Sequence, residues 1–188
     1  MKNLKSLAVL GLSSFLLVST AFAAETLVSG PQVEKKVPGP FHPLNINGDK
    51  AGEKNCLFCQ NGDHPVAMVF AREVTPELTA LIKKIDEATA KNAKAEMGSF
   101  VVFLHDEDKD FVGQLKEVAK KDGLKSCILS VLDDKAGPKG YEINKDADVT
   151  VVLYTSHTVK ANYAFKKGEL KKTDVEKIVG DISKILPQ

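Results

Sequence analysis

Asn55-Cys56-Leu57-Phe58-Cys59-Gln60-Asn61-Gly62-Asp63-His64, followed by Pro65-Val-Ala-Met-Val-Phe-Ala-Arg72 and a helical run to Ala90, is the stretch on which the fold turns. Val66 to Arg72 is a nearly continuous apolar run of strand length, the pattern of a strand buried on both faces. Behind it Leu78, Leu81, Ile82, Ile85 and Ala88 recur at helical spacing, with Lys83, Lys84, Asp86 and Glu87 on the other side. This predicts an amphipathic helix, capped by Thr75 and carrying Pro76 in its first turn. A C-x-x-C, Cys56 and Cys59, stands in front of the strand.

Downstream, Phe100 to His105 reads as a second strand and Phe111, Leu115, Val118 and Ala119 as a helix stopped by Gly123. Cys127 to Leu132 is a third strand, central or peripheral. A loop from Asp133 to Asp148 follows, punctuated by Gly137-Pro138 and Gly140. Val149 to Tyr154 and Val159 to Phe165 lie close enough across Thr155-Ser156-His157-Thr158 to form an antiparallel hairpin. Thr173-Asp174-Val175-Glu176 reads as a capping box for a last helix with Val175, Ile178, Val179, Ile182 and Ile185 inward. Alternating strands and helices imply a mostly parallel sheet covered on both faces, with antiparallel strands added by the hairpin.

Upstream, Lys2 and Lys5, an apolar run from Leu7 to Val18 and Ala21-Phe22-Ala23 have the form of a secretory leader with its cleavage site. Export to a periplasm or the extracellular medium is expected, with no stable membrane association once the leader is gone. Its loss removes two lysines and no acid, so the formal charge passes from +1 to −1. A balanced chain gives no electrostatic footprint for nucleic acid. Glu25 to Glu53 is rich in Gly and Pro, and Val37-Pro38-Gly39-Pro40-Phe41-His42-Pro43 forbids helix. Leu44 to Asp49 reads as a short strand entering a turn. The expected organisation is a leader at 1–23, an arm or hairpin with the C-x-x-C at 24–59, and an α/β domain at 60–188.

This order of elements, with Met68-Val69-Phe70-Ala71, Val149-Thr150-Val151-Val152-Leu153-Tyr154 and Lys167-Gly168-Glu169-Leu170, resembles the thioredoxin-like superfamily over about residues 60 to 188. The arm, through Lys36-Val37-Pro38-Gly39-Pro40-Phe41, is similar to the segment that opens peroxiredoxins and exported thioredoxin-like reductases. The resemblance implies a mixed sheet flanked by helices with an extended N-terminal arm. It also implies where a redox site would lie, and there the sequence departs from the family. Val74-Thr75-Pro76-Glu77 fills the family's Cys-x-x-Cys window, and Val149 stands at its cis-proline position. Against the peroxiredoxin motif Thr75 matches, but Ala71 replaces the proline and Leu78 the peroxidatic cysteine, so peroxidase chemistry is not expected.

Three cysteines in an oxidising compartment suggest one disulfide and one remaining thiol. Cys56 and Cys59 have three readings: a reversible redox pair helped by Lys54, a permanent staple of arm to core, or, with His64 and His42, a Cys₂His₂ zinc site. Gln60, where a c-type haem would need His, speaks against haem attachment. If the pair is redox-active, the chain is a thiol–disulfide oxidoreductase needing no cofactor and acting on a protein thiol or disulfide. Cys127, in an apolar strand, reads as an inert buried thiol or as a resolving cysteine. Asp106-x-Asp108-x-Asp110 with Glu117 imitates a calcium loop, but Phe111 stands where glycine is needed. His105 and His157 have no sequence-evident partner. The strand at 66–72 spans about 20 Å at roughly 3.3 Å per residue, so the C-x-x-C is expected at the opposite end of the sheet from the family's site.

Overall fold

A computed structural model describes residues 27–187; the expected leader at 1–23 with its cleavage site lies outside the described residues. Six strands form one sheet in the order β1-β4-β3-β2-β5-β6. They are β1 (Leu44–Asn45), β2 (Val66–Ala71), β3 (Gly98–Leu104), β4 (Cys127–Leu132), β5 (Val149–Thr155) and β6 (Thr158–Phe165). The helices are α1 (Leu57–Asn61), α2 (Pro76–Lys91), α3 (Lys109–Lys121) and α4 (Lys172–Asp181). Only β2–β3 and β3–β4 pair in parallel; β1–β4, β2–β5 and β5–β6 are antiparallel. The sheet is therefore mixed rather than mostly parallel, because the arm and the hairpin each add antiparallel partners.

The two faces of the sheet are covered by different material. Ala67, Val69, Ala71, Val101, Phe103, Leu129, Val131 and Val151 point to one face, where Leu81 and Ile85 of α2, Leu115 of α3 and Ile178 of α4 close over them. All three long helices share this face, since β2, β3 and β4 step in one direction and right-handed crossovers then place α2 and α3 on the same side. Val66, Met68, Phe70, Phe100, Val102, Val152 and Tyr154 point to the other face, covered by Val37, Phe41, Leu57, Tyr141 and Ile143 from the arm, α1 and the 133–148 loop. There Phe41, Phe70 and Tyr141 form an aromatic cluster with ring centroids 5.1 to 6.0 Å apart. Full burial of a side chain such as Phe70 is worth about 1.5–3 kcal/mol.

The arm also protects both sheet edges. It first runs beside β6, where Glu34 N–H donates to Val159 O at 2.9 Å and Val37 N–H to His157 O at 2.8 Å. It then crosses the second face and ends as β1 against β4. Edge strands left bare invite pairing with other chains; here one segment occupies both.

Two buried polar anchors escaped the sequence reading. Asp86, on the polar side of the expected helix, is only 9% exposed and its Oδ1 accepts the backbone N–H groups of Lys125, Ser126 and Cys127 at 2.7 to 3.0 Å. Arg72 holds the 133–148 loop through the carbonyls of Ala147, Lys135 and Asn144 at 2.7 to 3.3 Å. The last helix also starts earlier than its sequence suggests. Lys171 is the cap, and Asp174 accepts the Lys171 N–H at 2.9 Å.

Candidate functional site

The two ends of β2 carry the two candidate sites. At its C-terminal end, Thr75 Oγ1 accepts the Leu78 N–H at 3.1 Å and Pro76 fills the first turn of α2. Val149 is the register partner of Ala71, so Val74, Thr75, Pro76, Glu77 and Val149 gather at one corner. No peptide bond among the described residues is cis. Leu78 is fully buried in the helical core, which makes it a packing residue. Between α2 and α3, beside this corner, lies an open groove of about 640 Å³ lined by Val74, Thr79, Lys83, Gln114 and Lys121 among others. Burial and the neighbouring Glu73 raise the Asp148 carboxyl above the ordinary range, while Glu73 itself pairs with Lys167 at 2.6 Å. The corner has a capped helix start and a flanking strand but no nucleophile.

At the N-terminal end, Cys56 and Cys59 are joined in a disulfide, their Cα atoms 5.2 Å apart. No helix is expected here from the residue pattern, yet Leu57–Asn61 forms the five-residue α1 with Cys56 as its cap; Cys56 Sγ accepts the Cys59 N–H at 3.1 Å. Leu57 anchors the helix in the second-face core. Asn61 packs so closely on Gly98 that a Cβ there would collide with its side chain, and Phe58 lies 6.4 Å from Tyr154 and 4.7 Å from His157, ring to ring. Gly98 and Tyr154 are the register partners of Val66. This puts α1 at the start of β2, and the strand separates it from the Thr75 corner by about 17 Å at roughly 3.3 Å per residue.

Cys56 is 8% exposed, whereas Cys59 is exposed to solvent. Lys54 is not free to favour a thiolate: its ammonium pairs with Glu107 at 2.9 Å. The histidines of the zinc reading go elsewhere, His64 to Glu96 at 3.5 Å and His42 to the surface. Among the described residues no group of three His, Cys, Asp or Glu side chains is gathered to hold a metal. The acidic calcium-like run serves α3 instead: Asp108 Oδ1 accepts the Phe111 N–H at 2.8 Å, and Asp106 pairs with Lys135. His105 stacks on Phe111. Cys127 is fully buried in the helical core, and burial pushes its thiol up to about 12. It stands on β4, beyond β3 from β2.

No family model matches the chain, and no curated protein does. Solved structures do. A candidate protein disulfide isomerase from Bacteroides thetaiotaomicron superposes over 86% of this chain and 96% of its own, with a TM-score of 0.63 at 14% identity. Peroxidoxin BcpB from Mycobacterium tuberculosis covers 85% and 98%, TM-score 0.56, at 13% identity. A secreted M. tuberculosis disulfide oxidoreductase homologous to E. coli DsbE covers 76% and 94%, TM-score 0.51, at 11% identity. The fold is thioredoxin-like.

Proposed function

We propose that this chain is an exported thioredoxin-like protein that exchanges electrons with thiols and disulfides through Cys56 and Cys59, the family's usual corner being chemically empty. The observation that carries this reading is the placement of the bridge within the first turn of α1, with Cys59 an exposed residue and Cys56 a buried one. A staple earns its stabilisation by joining distant segments. This bridge joins none, and the arm is already held by β1 pairing, by Phe41 burial and by the Asn55 N–H on Pro43 O at 3.1 Å. Export rests on the leader pattern of residues 1–23; no helix of the described residues is long and apolar enough to cross a membrane.

The chemistry follows from the unequal burial. A partner thiolate attacks the exposed Cys59 Sγ, a new S–S bond forms there, and the Cys56–Cys59 bond breaks with its electron pair left on Cys56 Sγ. That thiolate is stabilised by the Cys59 N–H that already points at it, and a helix start favours negative charge in general. A second thiol then attacks the partner sulfur of the mixed disulfide, releasing the oxidised partner and leaving both cysteines reduced. The reverse sequence oxidises a dithiol.

Single serine variants of the mature protein, incubated with glutathione disulfide, test the reading. Cys56→Ser, which keeps the exposed sulfur, is expected to form a one-to-one glutathione adduct detectable by mass. Cys59→Ser, which keeps the buried sulfur, is expected to form it at least tenfold more slowly, because attack requires access to the thiolate. Absence of an adduct on Cys56→Ser overturns the proposal and leaves a structural bridge in a binding module.

A further inference from the structure

A cavity of about 190 Å³ that disulfide exchange does not use lies between the loop after β1, α1 and the start of β4. It has room for roughly six waters at about 30 Å³ each and is smaller than the roughly 300–1,000 Å³ taken by drug-sized ligands. Its occupant is therefore a molecule, or the end of one, of amino-acid size. Leu57 and Ile128 give it apolar walls.

The cavity is built from anchored parts. Asn45 N–H donates to Glu53 O at 2.9 Å and Gly52 N–H to Asn45 O at 2.8 Å, which closes the loop. Asn47 ties the loop to β4 by accepting the Leu129 N–H at 2.7 Å and donating to Cys127 O at 3.0 Å. Lys50 Nζ donates to Asn55 Oδ1 and Asn55 Nδ2 to Gln60 Oε1, both at 2.9 Å. Lys50 and Gln60 both line the cavity, so two of its side chains are held before anything enters. A preformed pocket gives up less freedom on binding.

Two observations point to a ligand. Asn45 lines the cavity and is 3% exposed, yet its Oδ1 accepts no hydrogen bond among the described residues. A buried acceptor without a donor is costly, and the Asn χ2 torsion is soft enough to turn the oxygen toward a donor in the cavity. The exposed Lys50 and Lys125 also line it, and neither pairs with a carboxylate among the described residues. Asp49 is the carboxylate that lines the cavity beside them. A neutral donor belongs at Asn45 and an anion at the exposed lysines, because a charge taken inside would need more partners than one carboxamide supplies.

We propose that this cavity binds a peptide group followed by a carboxylate, as in an N-acyl amino acid or the C-terminal residue of a peptide. The peptide N–H donates to Asn45 Oδ1, the carboxylate meets Lys50 and Lys125, and Asp49 disfavours a second negative charge. The site is independent of disulfide exchange.

The test is titration of the wild-type protein with N-acetylglycine, followed through the side-chain amide NMR signals of Asn45 and Gln60. Saturable shifts of both are expected. N-acetylglycinamide, which lacks the carboxylate, and acetate, which lacks the peptide group, are each expected to bind at least about fivefold more weakly. Lys125→Gln is expected to weaken N-acetylglycine about threefold and leave N-acetylglycinamide unchanged. Asn45→Leu, with its fold checked by the backbone amide spectrum, is expected to bind none of the probes. An acetylated tetrapeptide with a free carboxylate separates the two sources: shifts like those of N-acetylglycine assign the cavity to peptide ends, and exclusion assigns it to free N-acyl amino acids. No saturable shift with N-acetylglycine overturns the proposal. Equal binding of the three small probes, or undiminished binding by a folded Asn45→Leu, overturns it as well.

Discussion

The two ends of β2 differ in a way that separates what a fold must keep from what its chemistry requires. At the C-terminal end, Thr75 caps α2, Pro76 opens it and β5 flanks it, so the corner is complete as architecture and carries no sulfur. At the N-terminal end a five-residue helix carries a disulfide between the buried Cys56 and the exposed Cys59. The helix start is needed because α2 must begin there to cover the sheet. A cysteine in it is needed only for reaction, and the core is complete without one.

Three substitutions sharpen the contrast, and the largest effect on stability is expected at the bridge. Replacing both Cys56 and Cys59 by Ser should lower unfolding free energy by at most about 2 kcal/mol, the loop-closure value for so short a ring. The arm should stay ordered, because Phe41, Val37 and β1 hold it independently. Denaturant unfolding checks the magnitude, and hydrogen exchange over residues 28–55 checks the order; a loss well above this value would make the bridge a staple after all.

Thr75→Ala should cost about 1 kcal/mol through loss of the α2 cap and leave thiol exchange unchanged. An altered exchange rate would tie the two ends together and break the comparison. The smallest effect is expected at Asp148→Asn. The folded protein raises the carboxyl of Asp148 above its unfolded value, by burial first and Glu73 second. The protonated form is therefore favoured by folding, and its contribution is complete below the unfolded pKa and lost as pH rises through the folded one. Asn should thus stabilise the protein modestly near pH 7, since Lys167 and Arg72 oppose the effect of burial on this carboxyl, and should have no advantage near pH 3. Thermal melts at the two pH values decide it.

Much of the fold was legible because its signals are local. Val66–Ala71 is apolar at every position, and Thr75-Pro76 announces the start of α2. Periodicity likewise located α3 and α4. What stayed hidden depends on distant partners. Asp86 sits on the polar side of α2 by sequence, and only the docking of residues 125–127 onto its carboxylate makes it a buried anchor. Arg72 reads as the polar end of a strand until the 133–148 loop brings three carbonyls to it. The helix at Leu57–Asn61 is too short to show a period, and its cap, Cys56, is not a residue type that announces a helix start. His157 had no partner in the sequence because Phe58 and Asp63 reach it across the sheet end. Of the site, the cysteine pair and its displacement from Val74–Glu77 were readable; which cysteine faces solvent was not.

The proposed exchange requires the Cys56–Cys59 bridge to open. Its test is the reduction potential of the wild-type protein, from the fraction of bridge reduced across a series of glutathione or dithiothreitol redox buffers. Exchange predicts a value within the range of roughly −120 to −270 mV spanned by thiol–disulfide oxidoreductases. A value below about −300 mV, where structural bridges lie, would contradict it.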